Sequence, residues 1–360
     1  MAIIDKPSDY FNTKLYVGNE STNAITGVGH QPDFVWMKNR ASAYYHGLYD
    51  SVRGTGNTKS LYSNANETEG QNSGNMNLAS FNSDGFTLGA TSSTNIINKS
   101  SQNHVSWNWK AGGSASSNSN GSITSSVSAN TTAGFSIVSW TGNGSNGATI
   151  GHGLGTTPAI VITKRLNSTG DWQIGGSLID TVRGGANSLL LLNTTAAMDS
   201  NSEVYQTFSS TTFQVGVNAS INTNGGTLIS YCFTDVQGYS KFGSYKGNGN
   251  ANGSFIYTGF KPAFTLIKRT DSATGGSWIL FDNKRGTNVI NPVDVVMAAS
   301  NDQSEADWGT AYDCDYLSNG FKWRMDGTGG YNNTSGATYI YMAFAENPFV
   351  ASNFVPATAR

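Results

Sequence analysis

The chain has 360 residues, a formal net charge of −2 and only 12% charged residues. That is about half the ~25% usual in globular proteins, so no field exists to draw in nucleic acid or an anionic membrane. No apolar run approaches the ~20 residues of a membrane helix. Met1 to Pro7 also lacks the basic and apolar parts of a secretion signal, so a cytosolically made chain without a signal peptide is expected.

Taken in chain order, the first predicted strand ends at an aromatic-x-Gly-Asn element, Tyr16-Val17-Gly18-Asn19. A second runs Phe34-Val35-Trp36-Met37-Lys38 behind Pro32. It is apolar on both faces, as a strand between two layers would be, and its proline stands where a missing ladder donor does least harm. Lys38 closes it and reads as a charge at the rim of the sandwich. A third, Gly47-Leu48-Tyr49-Asp50, leads into Asp50-Ser51-Val52-Arg53-Gly54. Asp84-Gly85 is a turn dipeptide that opens Phe86-Thr87-Leu88. Val105-Ser106-Trp107-Asn108-Trp109 closes the set, and 114–133 reads as a Gly/Ser/Asn/Thr-rich linker or long loop that could hinge what precedes it.

The same elements then recur. Aromatic-x-Gly-Asn returns at Trp140-Thr141-Gly142-Asn143 and Tyr245-Lys246-Gly247-Asn248, offsets of 124 and 105 residues. The six-residue step from Pro to Lys returns at Pro158–Lys164 and Pro262–Lys268. The motif D-x-x-R-G returns at Asp180–Gly184 and Asp282–Gly286, behind the predicted strands 177–180 and 279–282. Closing strands are expected at 228–233 and 339–344. The period is too long for a solenoid or propeller blade, so each repeat is expected to be a module. The predicted fold is all-β: three tandem antiparallel β-sandwich or jelly-roll modules of about 100 residues. Their bounds are 1–113, 134–238 and 239–350, with the linker 114–133 and a C-terminal tail 351–360.

Little in this pattern carries catalytic chemistry. The repeated acids are single, whereas glycoside hydrolysis needs a carboxyl pair. His30, His46, His104 and His152 show no zinc spacing, and no Gly-x-Ser-x-Gly or phosphate loop occurs. The expectation is no enzyme, no cofactor, no catalytic residue and no metal site. Asp50, Arg53, Gly54, Asp180, Arg183, Gly184, Asp282, Arg285 and Gly286 admit two readings. One is a ligand contact in each module. The weightier one is a turn in which Asp caps, Gly takes a left-handed conformation and Arg forks onto carboxylate or carbonyl oxygens. Trp107 and Trp109 are either core or an exposed stacking platform, with core the weightier. Cys232 reads as a small buried hydrophobe; a bridge to Cys314 stays open.

The runs Ile4 to Thr13 and Gly27 to Lys38, the motif Asp50 to Gly54, Asn82 to Gly89, and Trp107-Asn108-Trp109-Lys110 resemble structural proteins of tailed phages of marine bacteria and cyanobacteria. Those are described as tail-fibre or virion proteins carrying a domain of unknown function. The match is strongest in the first repeat, the others being diverged copies. The resemblance implies a virion component, in contact with other tail or capsid proteins and homo-oligomeric, a trimer being favoured. It implies a host-surface glycan or protein as ligand, or else a role in decorating and stabilising the capsid; a concanavalin-like jelly roll follows by analogy only. The chain departs from a long fibre, having no heptads, no collagen repeat and no shaft.

Overall fold

A computed structural model describes residues 4–91, 94–286, 291–307, 312–327 and 330–350. The expected tail, 351–360, lies outside the described residues. The protein is all-β and antiparallel, and one strand order appears three times. In the first repeat the opening strand Phe11–Val17 pairs with the closing strand Asn103–Trp109. That pairs with Phe34–Asn39, which pairs with Gly47–Asp50. The second repeat uses Phe135–Thr141, Thr227–Phe233, Ile160–Arg165 and Gln173–Gly175 in the same order. The third uses Ser240–Lys246, Thr338–Pro348, Phe260–Arg269 and Ile279–Asp282. A small three-stranded sheet covers one face of each: Asn23–Thr26, Gly85–Leu88 and Leu78–Asn82 in the first. Ala148–Gly151, Thr212–Val215 and Tyr205–Phe208 form the second. Phe255–Tyr257, Gly320–Trp323 and Cys314–Leu317 form the third.

The strand register fixes which residues correspond. Trp109 pairs with Phe34, Phe233 with Ile160 and Phe344 with Phe264. So Trp107, Tyr231 and Met342 are one position in three copies. Successive side chains on a strand point to opposite faces, and both faces of these large sheets are buried. One face packs under its own small sheet, in three separate apolar clusters. The other belongs to a single cluster drawn from all three repeats, including Phe11, Trp107 and Trp109, then Phe135, Tyr231 and Phe233, then Phe264, Met342 and Phe344. Rings meet across the repeats: Phe34 stacks on Tyr231 at 4.3 Å and Phe11 on Phe344 at 5.1 Å. The three large sheets therefore face one another around a pseudo-threefold axis.

This arrangement corrects two expectations. Residues 114–133 are not a linker. Ser116–Asn118 and Ser125–Asn130 extend the second large sheet beside Phe135–Thr141, and with Ser188–Leu191 and Asp199–Ser200 on its other edge the sheet has eight strands. Serine is a poor strand former, but here hydroxyls are satisfied locally: Ser125 donates to the Gly151 carbonyl and Ser128 to that of Gly113. The first repeat is likewise not hinged, because Phe11, Phe34 and Trp109 are part of the shared core. A third correction concerns 177–180. The strand lies earlier, at Gln173–Gly175, and Ser177–Arg183 is an α-helix capped by Gly184 at φ +82°.

Candidate functional site

The D-x-x-R-G copies differ sharply in what they do. In the first, the Asp50 carboxylate accepts from the backbone N–H groups of Val52 and Arg53, and from Arg53 Nε at 2.5 Å. Arg53 also donates to the carbonyls of Leu48 and Lys59. The third copy matches it: Asp282 accepts from Lys284 N, Arg285 N and Arg285 Nε, and Arg285 donates to Leu280. Both Asp side chains are fully buried, as is Arg285, and Arg53 is nearly so. Burial would push the Asp282 carboxyl up, but the charge and hydrogen bonds of Arg285 outweigh it and hold it below the usual range. Gly54 and Gly286 follow at φ +90° and +109°.

Each of these pairs is clasped by the neighbouring repeat. Tyr231 of the second repeat donates its hydroxyl to Asp50 at 2.8 Å. Trp107 of the first donates its ring N–H to Asp282 at 3.0 Å and lies under the Arg285 guanidinium. These donors are the corresponding residues of two closing strands. In the third seam both halves are gone. Met342 stands where the donor should be, and register puts Gly176 where the acid should be. A side chain there is excluded, since Gly176 has φ +135° and its Cβ would sit 2.1 Å from the Ala159 carbonyl oxygen. The second motif is displaced four residues onto the helix. There Asp180 accepts from Ser188 N, Arg183 is exposed, and buried Ile179 fills the gap. The first and third motifs thus have no surface left for a ligand, and Trp107 and Trp109 are buried, not a platform.

Other contacts keep the threefold pattern at every seam. One ring donates across each: His46 Nε2 lies 3.1 Å from the Ala298 carbonyl oxygen, Trp172 donates to Tyr62 and Trp278 to Leu191, both at 2.8 Å. Backbone N–H groups of Glu69, Met198 and Glu305 donate to the carbonyls of Leu166, Thr270 and Arg40. The lysines join them. Lys164 donates to the Asn66 carbonyl and Lys268 to that of Thr195, each in the preceding repeat, while Lys38 donates to Asn39 and Ser42 within its own and feels Asp302 of the third. All three are buried rather than at the rim.

That burial has a pH consequence. Desolvation lowers Lys38 and Lys164 to about 8 and Lys268 to about 7, against ~10.4 in an unfolded chain. Between about pH 7 and 8.5 the unfolded state therefore binds more protons and stability rises with pH. Above that the buried Cys232, Cys314 and tyrosines such as Tyr231 and Tyr239, whose ionisation burial pushes up, act in the opposite direction. Each lysine adds at most ~1.4 kcal/mol per pH unit to that slope. Denaturation midpoints measured from about pH 6.5 to 8.5 are expected to climb, and Lys268→Met to flatten the climb. A midpoint falling across that range in the wild type would refute this.

The aromatic-x-Gly-Asn element forms a second repeated lock at the outer ends. Asn19, Asn143 and Asn248 each accept the backbone N–H two residues on, and their own N–H groups are taken by Asn98, Asn222 and Asn333. A Cβ on Gly18, Gly142 or Gly247 would lie 2.2–2.4 Å from a carbonyl oxygen of the residue after that second Asn. The asparagines 98, 222 and 333, and the seam rings 46, 172 and 278, escape motif reading because each is significant only once strands are aligned. Cys232 and Cys314 are both free and buried. Burial pushes the Cys232 thiol up to about 12. Among the described residues no cluster of His, Cys, Asp and Glu is placed to hold a metal.

The geometry defines an all-β protein in which two of the three D-x-x-R-G copies are clasped across seams between its repeats, while the aromatic-x-Gly-Asn locks hold each repeat internally. The chain belongs to a family described as a domain of unknown function (DUF7483), which matches residues 6–348 and so spans all three repeats. No curated protein and no solved structure matches it.

Proposed function

We propose that the protein is a phage virion structural component, a tail-fibre or appendage subunit that mediates adhesion to the host surface, and not an enzyme. The observation that carries this reading is the single core shared by three repeats. It makes one rigid body in which threefold symmetry, supplied elsewhere by three chains, is built into one. Such a body suits a knob or short appendage in contact with other tail or capsid proteins. The resemblance of the first repeat to marine phage virion proteins supports the same setting. The pseudo-threefold shape also keeps a second reading in play, a capsid decoration seated on a threefold position.

The test is to image virions carrying this chain with an antibody raised against it. Label on fibres or the tail tip is the expected result. Label spread regularly over the head would favour decoration instead, and virions without label would overturn the virion reading. Release of reducing sugar from host envelope by the purified chain would replace it with a glycan-degrading enzyme.

A further inference from the structure

The repeats act as internal controls for one another, and at one place the third departs from the other two. The edge strand of each small sheet carries a buried isoleucine at the corresponding register: Ile25 opposite Phe86, Ile150 opposite Phe213 and Ile256 opposite Phe321. The residues either side of it point outwards. In the first repeat they are Ala24 and Thr26; in the second they are the half-buried Thr149 and Gly151, which is buried against Asn118. In the third they are Phe255 and Tyr257, 46% and 61% exposed. The fold is made twice without aromatics here, so packing does not require them. The exposed Phe349 is tied nearby, its backbone N–H donating to the Gly259 carbonyl.

In the second repeat this edge is covered by the chain itself. Ser122 and Thr149 exchange hydrogen bonds, and Ile123 forms a parallel bridge with Ile150. In the third, the strand instead borders a cleft of about 310 Å³, lined by Asp235, Gln237, Lys241, Tyr257, Thr258 and Gly259. That volume is at the small end of ligand sites. Its polar groups are mixed in sign. Lys241 pairs with Asp235, Gln237 is exposed, and beside Phe255 the Lys322 ammonium donates to the Asn252 side chain at 2.6 Å.

We infer that Phe255, Tyr257 and the adjoining cleft bind a neutral hexose-based glycan. A pyranose has an apolar C–H face and an edge of hydroxyl groups. It needs a flat aromatic surface with donors and acceptors beside it and no strong field of one sign, and this patch supplies those together. A second copy of the chain is the weaker occupant. Three part-exposed side chains set among charged ones fall far short of the ~800 Å² per partner of a stable interface. This inference deepens the adhesion reading and rests on it.

The experiment uses the full chain on an array of bacterial surface polysaccharides, with glucose, galactose and N-acetylglucosamine as soluble competitors. Phe255→Ala with Tyr257→Thr rewrites the third edge as the first repeat has it, so folding is expected to survive, checked by an unchanged thermal midpoint. The wild type is expected to bind and the double variant to lose at least ~tenfold in affinity. Val217→Ala, at another exposed apolar residue, is expected to bind as wild type. Undiminished binding by the double variant would overturn the site, as would a wild type that binds nothing on the array. A double variant that turns a dimer into a monomer would reassign the patch to self-association. Virion labelling separates the two levels. Label on an appendage with undiminished variant binding removes only this site, whereas absent label removes the adhesion reading itself.

Discussion

Replacing Arg285 by alanine is expected to destabilise the protein by ~3–5 kcal/mol, the cost of leaving a buried carboxylate without its partner. The same substitution at Arg183, the corresponding letter of the same motif, is expected to change stability by no more than ~0.5 kcal/mol. Asp282 has no solvent to fall back on. Arg285 and two backbone N–H groups surround it, and the Trp107 ring N–H reaches it from the neighbouring repeat. Removing the guanidinium also strips the Leu280 carbonyl of a donor. Arg53→Ala should resemble Arg285→Ala, since Asp50 is held in the same way and clasped by Tyr231. Arg183 stands exposed on the helix Ser177–Arg183. Urea unfolding of the three variants measures this directly. Equal losses at Arg183 and Arg285 would mean that the displaced motif has a structural role the present geometry does not give it.

The contrast bears on what the sequence made legible. The three copies of D-x-x-R-G, the Pro-to-Lys strands and the aromatic-x-Gly-Asn turns identify the repeat because each is local, spanning a turn or one strand. The all-β class followed from the same short, β-rich runs. What was hidden is the relation between repeats. Trp107 and Asp282 are 175 residues apart, and nothing near either predicts that they meet. Lys38, Lys164 and Lys268 read as rim charges because a lone lysine is ordinarily solvated; all three are buried, Lys164 and Lys268 on carbonyls of a neighbouring repeat and Lys38 on carbonyls of its own. The displaced second motif carried one visible sign, since Asp180 follows Pro158 by 22 residues where the other copies have 18 and 20. Those extra residues form the helix that pulls the acid out of register. The strands in 114–133 were masked by serine, whose hydroxyls are satisfied by carbonyls that the sequence alone does not place.

The shared core leads to the second large effect: no repeat is expected to hold its fold as a separate monomer. In the second repeat Phe135, Ile137, Ile174, Tyr231 and Phe233 are each at most 2% exposed and all belong to the common cluster. Cutting the repeat out would return them to water at ~1.5–3 kcal/mol each. Their sum, on the order of 10 kcal/mol, matches the whole stability of an ordinary domain. The full chain is therefore expected to unfold in one cooperative transition, seen alike by calorimetry and by tryptophan fluorescence. The fluorescence test is well placed, because Trp107, Trp172 and Trp278 all donate across seams. Residues 114–238 alone are expected to be unfolded or associated at micromolar concentration. A trimer of that segment would agree with the argument, since three like faces can rebuild the axis that the intact chain forms from three unlike ones. A folded monomer of 114–238, or three separate transitions in the intact chain, would show that the repeats are independent modules and that the common core is a contact between them, not a condition for their folding.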